Sequence, residues 1–369
     1  MRLESIELRD FRNHKEARFD LRGESALVLG ENGSGKTNLI EALVLLSIGR
    51  SFRGARDRAL VRRGAEAFEV RGRMSDPRGA PTEIIARGGV SGGREITVDG
   101  APLPRLTDLL GRFRTVHFSV EDVAVLNGGP SSRRRFLDVS LCQLEPAYVG
   151  WLREYVEALR QRNRLLALER RGPAADEAEW SAWEEMLARA GLMLDSRRRA
   201  FCEELDRLIR ALAGKVDRDL KPQLEYPAAI VTELSPADRI EARMERLARS
   251  RVADRRVGWT MDGPHRARLR CAIGGEELGD GASRGFSRLY SILLRIALAR
   301  LFEERRSDPP VVLLDDPESE LDVRWIGRLL RLLPESSQAI VTACRELSET
   351  PADYRRIPIE WGALVTSAA

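Results

Sequence analysis

Two motifs at opposite ends of this chain have to meet in space. The first, Gly30-Glu31-Asn32-Gly33-Ser34-Gly35-Lys36-Thr37, fits the phosphate-loop pattern G-x-x-x-x-G-K-[ST] at every position. The second, Val311-Val312-Leu313-Leu314-Asp315-Asp316, is an apolar run ending in two carboxylates. A phosphate loop offers backbone N–H groups and a lysine, and it needs acidic side chains from elsewhere to handle a metal ion and water. Lys36 and Asp315 are 279 positions apart (36 to 315). The chain must therefore leave its first sheet, build something else, and return to lay the second motif beside the first.

The local context of each motif agrees with that reading. Ala26-Leu27-Val28-Leu29 is a short apolar run ending at a glycine, as in a buried strand. Thr37 to Ser47 has an apolar helical face in Leu39, Ile40, Leu43 and Val44. Strand, glycine loop and helix start make an anion cradle, because the N–H groups and the helix N-terminus both favour negative charge. Lys36 is expected to reach the β- and γ-phosphates of ATP, and Thr37 to ligate Mg²⁺. Asp315 is expected to hold the metal, mostly through water. Asp316 is expected to polarise the attacking water or take its proton.

Between the motifs the pattern changes twice. Residues 1–30 read as a hairpin and a strand. Phe68-Glu69-Val70, Glu83-Ile84-Ile85-Ala86 and Glu95-Ile96-Thr97-Val98, split by Gly/Pro turns, read as an antiparallel β-meander. Thr115 to Val120 is one more strand. Residues 132–170 and 178–213 then read as helices. Trp180, Trp183, Leu187, Ala190, Leu194, Phe201, Leu205, Leu208 and Leu212 recur at three- and four-residue steps, a heptad seam broken near Arg197–Arg198. Leu152, Tyr155, Val156, Leu159 and Leu166 are the expected partner face. The pattern fits either a short antiparallel helical arm or an ordinary helical subdomain. Leu289 to Arg305 is a long helix stopped by Pro309-Pro310, and Ala339-Ile340-Val341-Thr342 is a further buried strand. The expected fold class is α/β: a P-loop ATPase head with a mixed sheet and β-meander, split as 1–120 and 259–369. A mostly helical arm at 121–258 is inserted in it.

Composition narrows the function classes. The 369 residues carry 32% charged side chains and a formal net charge of +4, mildly basic and compatible with nucleic acid. Nearly all the basic residues are arginine; Lys15, Lys36, Lys215 and Lys221 are the lysines, so one of four occupies the phosphate loop. No apolar run approaches a membrane span, and the opening residues do not resemble a signal peptide. Cys142, Cys202, Cys271 and Cys344 are far apart and form no metal-ligand pair, which fits a reduced, cytoplasmic setting. Two further segments are open to two readings. Ala282-Ser283-Arg284-Gly285-Phe286-Ser287-Arg288 is either an N-capped helix start or a second anion surface. Arg133-Arg134-Arg135 is either a solvated helix face or a phosphate or DNA contact.

These pieces, in this order and over essentially the whole chain, resemble the RecF family of recombination mediators, related to the ATPase heads of SMC and Rad50 proteins. Leu8-Arg9-Asp10-Phe11-Arg12-Asn13-His14 looks like the family's opening. The phosphate loop through Ala42 is nearly the family's own. The most specific match runs from Glu121-Asp122 through Gly128-Gly129-Pro130 to Arg133-Arg134 and Phe136-Leu137-Asp138. Gln161-Arg162-Asn163, Gly263-Pro264-His265-Arg266 and Ser319-Glu320-Leu321-Asp322 are also similar to family segments, the last to its D-loop.

The resemblance implies a head that dimerises on ATP. The Ser283–Gly285 signature of one copy would cap the γ-phosphate bound by Lys36 of the other. Arg12 and Asn13 would lie near the nucleotide, and Ser319 and Asp322 would complete the composite site. It implies an ATP-dependent homodimer on double-stranded DNA at single-strand/double-strand junctions, working with RecR and RecO to load recombinase at gaps. Hydrolysis would be weak and would serve as a binding switch. Two departures matter. Phe286 stands where the family usually has Gln, and Ala267 and Arg268 stand where it favours acidic residues. The alternatives are a diverged RecF-like switch or sensor in another system, such as phage defence, and an SMC-like tether. The arm is too short for a tether, and a transporter's coupling loop is not evident.

Overall fold

In the computed structural model every residue is described apart from 119–128, 171, 173–174, 218, 228–233, 280–283, 307, 320–322, 348–349, 361–362 and 365–369. The opening residues form strands β1 (Arg2–Phe11) and β2 (His14–Asp20), paired antiparallel as the alternation of Ile6, Leu8 and Phe11 with polar neighbours predicts. The tight turn between them takes Arg12 to φ 56. The meander follows as β4 (Ala67–Ser75), β5 (Pro81–Gly89), β6 (Arg94–Val98) and the short β7 (Ala101–Pro102). Together they make an antiparallel sheet in the order β2-β1-β4-β5-β6-β7.

A second sheet gathers strands from both ends of the chain. Its order is β15 (Ala363–Leu364), β14 (Arg355–Glu360), β3 (Ala26–Leu29), β13 (Ala339–Ala343), β12 (Val311–Asp315) and β8 (Thr115–Phe118). Neighbours from β14 to β8 run parallel, and β15 joins antiparallel at the edge. The register sets the site. Asp315 is level with Thr342 on β13, and Thr342 is level with Val28 on β3. Parallel strands bring their C-terminal ends to one edge, which is where open α/β sheets bind ligands.

Helix α1 (Lys36–Ile48) lies in the core shared by these sheets. Leu39, Ile40, Ala42, Leu43, Leu45 and Leu46 are fully buried, and the same core takes in Ile6 and Phe19 from one sheet and Val28, Leu313 and Ile340 from the other. A helix covered on both sides has no face to leave polar, so its pattern is apolar nearly all round. Gly35 and Gly49 bound it in left-handed conformations. Gln338 closes the lobe across 335 positions: its side-chain carbonyl accepts from Leu3 N at 2.7 Å, and its amide donates to Leu3 O and Glu24 O. The short α2 (Asp57–Leu60) precedes the meander.

The chain divides into two compact units, 1–125 with 283–369, and 126–282. The second holds α3 (Gly129–Leu144), α4 (Pro146–Glu169), the 40-residue α5 (Glu177–Val216), α6 (Pro236–Val257) and a small sheet of β9 (Pro222–Glu225), β10 (Arg270–Ile273) and β11 (Glu276–Glu277). The expected return to the ATPase lobe at 259 differs from this division. Residues 259–282 stay with the arm because β10 pairs with β9 from Arg270–Glu225 to Ile273–Pro222. Within the α4–α5 pair, Leu187, Ala190, Leu194, Phe201, Leu205, Leu208 and Leu212 are buried. On α4 the buried face is Tyr155, Ala158, Leu165 and Leu166; Val156, expected there, is 55% exposed. The break in the seam is occupied by a buried Arg198, whose guanidinium pairs with Asp138 at 2.7 Å. The lobe resumes with α7 (Arg284–Arg306) and α8 (Val323–Leu332).

Candidate nucleotide site

The phosphate loop follows β3 and is held in shape by its neighbours. Gly35 has φ 112, and a Cβ there would fall 2.8 Å from the His14 ring and 2.9 Å from Asn13 Oδ1. Gly30 is close to β14: a Cβ would meet Ile359 O at 2.4 Å and Ser34 Oγ at 2.6 Å. Asn13 Nδ2 donates to Gly33 O at 3.2 Å, and Asn38 Nδ2 donates to Asn13 Oδ1 at 2.7 Å. The opening hairpin thus props the loop from one side. Glu31, Asn32 and Gly33 are exposed at its tip, while Ser34 is 6% exposed with its Oγ unpartnered. A buried hydroxyl without a partner is costly, and a ligand oxygen in the cradle would satisfy it. The loop, Cys344 and the Pro358–Glu360 end of β14 line a cavity of about 480 Å³.

Lys36 is 5% exposed, and its ammonium donates to Gly30 O at 2.6 Å and Glu31 O at 3.1 Å. Both acceptors are neutral carbonyls, so they place the cation without cancelling it. Cys344 Sγ lies 3.4 Å from the same nitrogen and donates to Asn32 Oδ1 at 2.9 Å. Burial raises the Cys344 thiol pKa, which keeps the proton for that bond.

The acids arrive from β12. Asp315 is 8% exposed, and burial pushes its pKa up, while hydrogen bonds from Thr342 and Thr37 pull it down. Thr342 Oγ1 donates to Asp315 Oδ1 at 2.9 Å and accepts from Asp316 N at 2.9 Å. Thr37 and Asp315, predicted as metal ligands, are therefore in contact. A hydroxyl and a carboxylate at the end of a buried strand form an oxygen donor set that suits Mg²⁺. Asp316 sits at φ 51, unusual for a residue other than glycine. That turn sends the chain into a 3₁₀ turn, Pro317–Ser319, and places Asp316 Oδ1 3.6 Å from Cys344 Sγ. Glu318 accepts from Cys344 N at 2.5 Å, and burial raises its pKa.

Arg12, expected near the nucleotide, lies against α1. Its guanidinium donates bidentately to Glu41 at 2.8 Å for both bonds, and to Ala59 O at 2.8 Å. All three of its side-chain nitrogens are engaged, so it braces α1. Glu41 is fully buried and also accepts from Ser51 Oγ. The sequence motifs miss Glu41, Ser51, Glu318 and Cys344. A signal for Glu41 exists, as the one charged residue after Lys36 in an otherwise apolar helix. Gly285 and Phe286 lie exposed at the start of α7, Phe286 at 49%. Ser283 and Asp322 fall outside the described residues, as does the Glu121–Gly128 segment; Ser319 ends the 3₁₀ turn.

Comparison with known proteins agrees with this geometry. Residues 2–354 match the RecF/RecN/SMC N-terminal domain family. The chain is similar to the DNA replication and repair protein RecF of Salinibacter ruber (strain DSM 13855 / M31), 34% identical over 98% of this chain and 91% of the relative. It is similar to that of Chloroflexus aggregans (strain MD-66 / DSM 9485), 36% identical over 99% of each. A solved structure of the recombination mediator RecF with ATP, of the RecFOR pathway, superposes with a TM-score of 0.89 at 30% identity, covering 100% of this chain and 98% of that one. An SMC head bound to the C-terminal winged-helix domain of ScpA shares the fold, with a TM-score of 0.55 at 16% identity over 99% of this chain and 98% of that one. A phosphate loop and an acidic strand end joined in one parallel sheet, with relatives matched along nearly their full length, place the chain in the RecF family of DNA replication and repair proteins, with an ATPase head of the SMC type.

Proposed function

We propose that the chain is an ATP-dependent DNA-binding clamp of recombinational repair. It dimerises on ATP at single-strand/double-strand junctions and helps load recombinase at gaps, with RecR and RecO as partners, in the cytoplasm. The observation that carries this reading is the convergence of Lys36, Thr37, Asp315 and Asp316 at one sheet edge. Similarity to a RecF solved with ATP, of the RecFOR pathway, supports ATP as ligand and RecO and RecR as partners. Among the described residues no helix is long and apolar enough to cross a membrane.

The residues divide the work. The N–H groups of the loop from Gly30 to Gly35 and the start of α1 receive the phosphates. Lys36 supplies a compensating charge on the β- and γ-phosphates. Thr37 and Asp315 would hold Mg²⁺, which when bound neutralises phosphate charge. Asp316, on its strained turn, is placed to orient a water molecule and accept its proton. The remaining γ-phosphate contacts come from the Ser283–Gly285 signature of a second copy, with Ser319 and Asp322. The exposure of Gly285 and Phe286 supports that arrangement, since a docking surface must be open in the monomer. Phe286 brings no amide to this interface, so hydrolysis is slow and serves to release DNA.

Gel filtration tests the reading directly. Wild type with ATP and Mg²⁺ elutes as a dimer, and Lys36→Ala remains a monomer. Monomers of wild type under every nucleotide condition would sink the composite site. An ATPase assay titrated with duplex DNA is expected to show weak turnover; turnover as fast as that of a transporter head would contradict the switch role.

A further inference from the structure

The arm contains a turn whose charges are unbalanced. Residues 263–267 are fixed from several sides. Gly263 has φ 140, and a Cβ there would fall 2.4 Å from the Tyr155 hydroxyl. Arg266 N donates to Gly263 O at 2.9 Å. His265 Nε2 lies 2.9 Å from Thr260 O, an acceptor only, so the ring proton sits on Nε2. Burial lowers the His265 pKa, and a neutral ring accepts at Nδ1 from Tyr155 Oη, 2.6 Å away.

Two arginines pin the carbonyls of this turn. Arg198 Nη1 donates to Pro264 O at 2.8 Å, and Arg134 Nη1 donates to Ala267 O at 3.1 Å. The nearby carboxylate, Asp138, is consumed by Arg198 at 2.7 Å and by the Tyr148 hydroxyl at 2.6 Å. Among the described residues neither Arg134 nor Arg266 has a carboxylate within ion-pair distance. Arg134 is half-buried and Arg266 exposed. Burial disfavours the charge on Arg134, and Arg198 and Arg266 add repulsion that outweighs the attraction of Asp138. A solvated surface cation would carry no such cost. A half-buried cation pinned to a backbone carbonyl, with another arginine on the same turn, is suited to pair with an anion from outside the chain.

Resting on the DNA-binding reading above, we propose that Arg134 and Arg266 form a binding site for a backbone phosphate of duplex DNA on the arm. A guanidinium presents a planar fork of N–H donors that matches two phosphate oxygens. Arg134 has nitrogens to spare beyond its bond to Ala267, and the pinned turn holds Arg266 beside it. Such an interaction positions DNA without reading its sequence.

Salt dependence provides the test. DNA affinity of the ATP-bound protein is measured across a salt series for wild type, Arg266→Ala and Arg134→Ala/Arg266→Ala, with melting temperature and ATP affinity followed in parallel. Each phosphate no longer neutralised lowers the slope of log affinity against log salt by about 0.9. The expected result is a measurable fall for the single variant and a total fall of about 0.9 for the double, with no dependence on DNA sequence. Among the described residues Arg266 makes no side-chain bond whose removal could unfold the arm, so the single variant decides the matter alone if the double is unstable. An unchanged slope and affinity in folded Arg266→Ala, with ATP still bound, would overturn the site and leave the clamp reading standing. Absence of DNA binding by wild type in every nucleotide state would overturn both. If an acidic peptide but not DNA responds to Arg266→Ala, the surface serves a protein partner and the proposal is wrong.

Discussion

The two units build their interiors from different materials. The ATPase lobe packs α1 between sheets with Leu, Ile, Val and Phe; of its buried charges, Glu41 is held by Arg12 and Ser51, while Lys36 and Asp315 sit at the strand ends where a ligand belongs. The arm runs charge through its middle. Arg162 is fully buried and donates to Glu184, Asp254, Thr260 and Leu247 O. Arg251 joins Glu184 and stacks 4.7 Å over Trp180. Arg243 pairs with Asp195, which also accepts from Tyr226. Apolar packing degrades by degrees when a methyl group is removed, whereas a buried ion network needs every member in place. The lobe keeps polar groups at its strand ends for a nucleotide; the arm satisfies nearly all of its own.

Removing one network member should have the largest effect. Arg162→Met leaves Glu184 and Asp254 buried with less compensation and costs about 3–5 kcal/mol. The triple variant Arg162→Met/Glu184→Gln/Asp254→Asn should recover much of that stability, measured by urea unfolding. A triple variant as unstable as the single would show that shape, and not charge, limits the arm.

Backbone strain gives the next effect and sets the units side by side. Gly35→Ala and Gly263→Ala each force a side chain into a left-handed position with a close approach. Each should cost on the order of 1–3 kcal/mol. Gly35→Ala should also abolish ATP affinity, which Gly263→Ala should keep. Failure of ATP binding in both variants would blur the division between the units.

The smallest effect is a pH dependence confined to the arm. Burial lowers the His265 pKa below its ordinary 6.5, so the unfolded chain takes up the proton first. The stability this confers is present above pH 6.5 and is lost as pH falls toward the folded-state value. Melting curves between pH 7.5 and 5.5 should slope less in His265→Gln than in wild type. Equal slopes would remove His265 as the cause.

Much of the lobe is legible in its sequence because its signals are local. A glycine pattern after an apolar run, a helix start and two acids after another run each report on a few adjacent residues. The arm is harder. Sequence pattern puts its boundary at 258, because the β9–β10 pairing that holds 259–282 joins strands about 45 residues apart and neither is strongly patterned. Heptad spacing includes Val156 in the buried face of α4, because spacing does not say how the seam rotates. Arg162 stands out only within a family-like segment and Arg198 only as a break in the seam, and neither signal says that the side chain is buried. Arg12 and Glu41 are each unremarkable alone, and only their bidentate pairing makes a brace.

The sequence by itself determined that a phosphate cradle and an acidic strand end exist, because backbone freedom at glycine and the charge of Lys36, Asp315 and Asp316 are properties of residue type. It also determined that they must share a sheet. Tertiary structure decided what stands between them. β13 separates β3 from β12 and contributes Thr342 to Asp315, and the residue after it, Cys344, lies beside Lys36. It decided, too, which arginines are paired and which are left for a ligand. Pairing is a matter of distances between side chains far apart in the chain, and those distances exist only once the fold has formed.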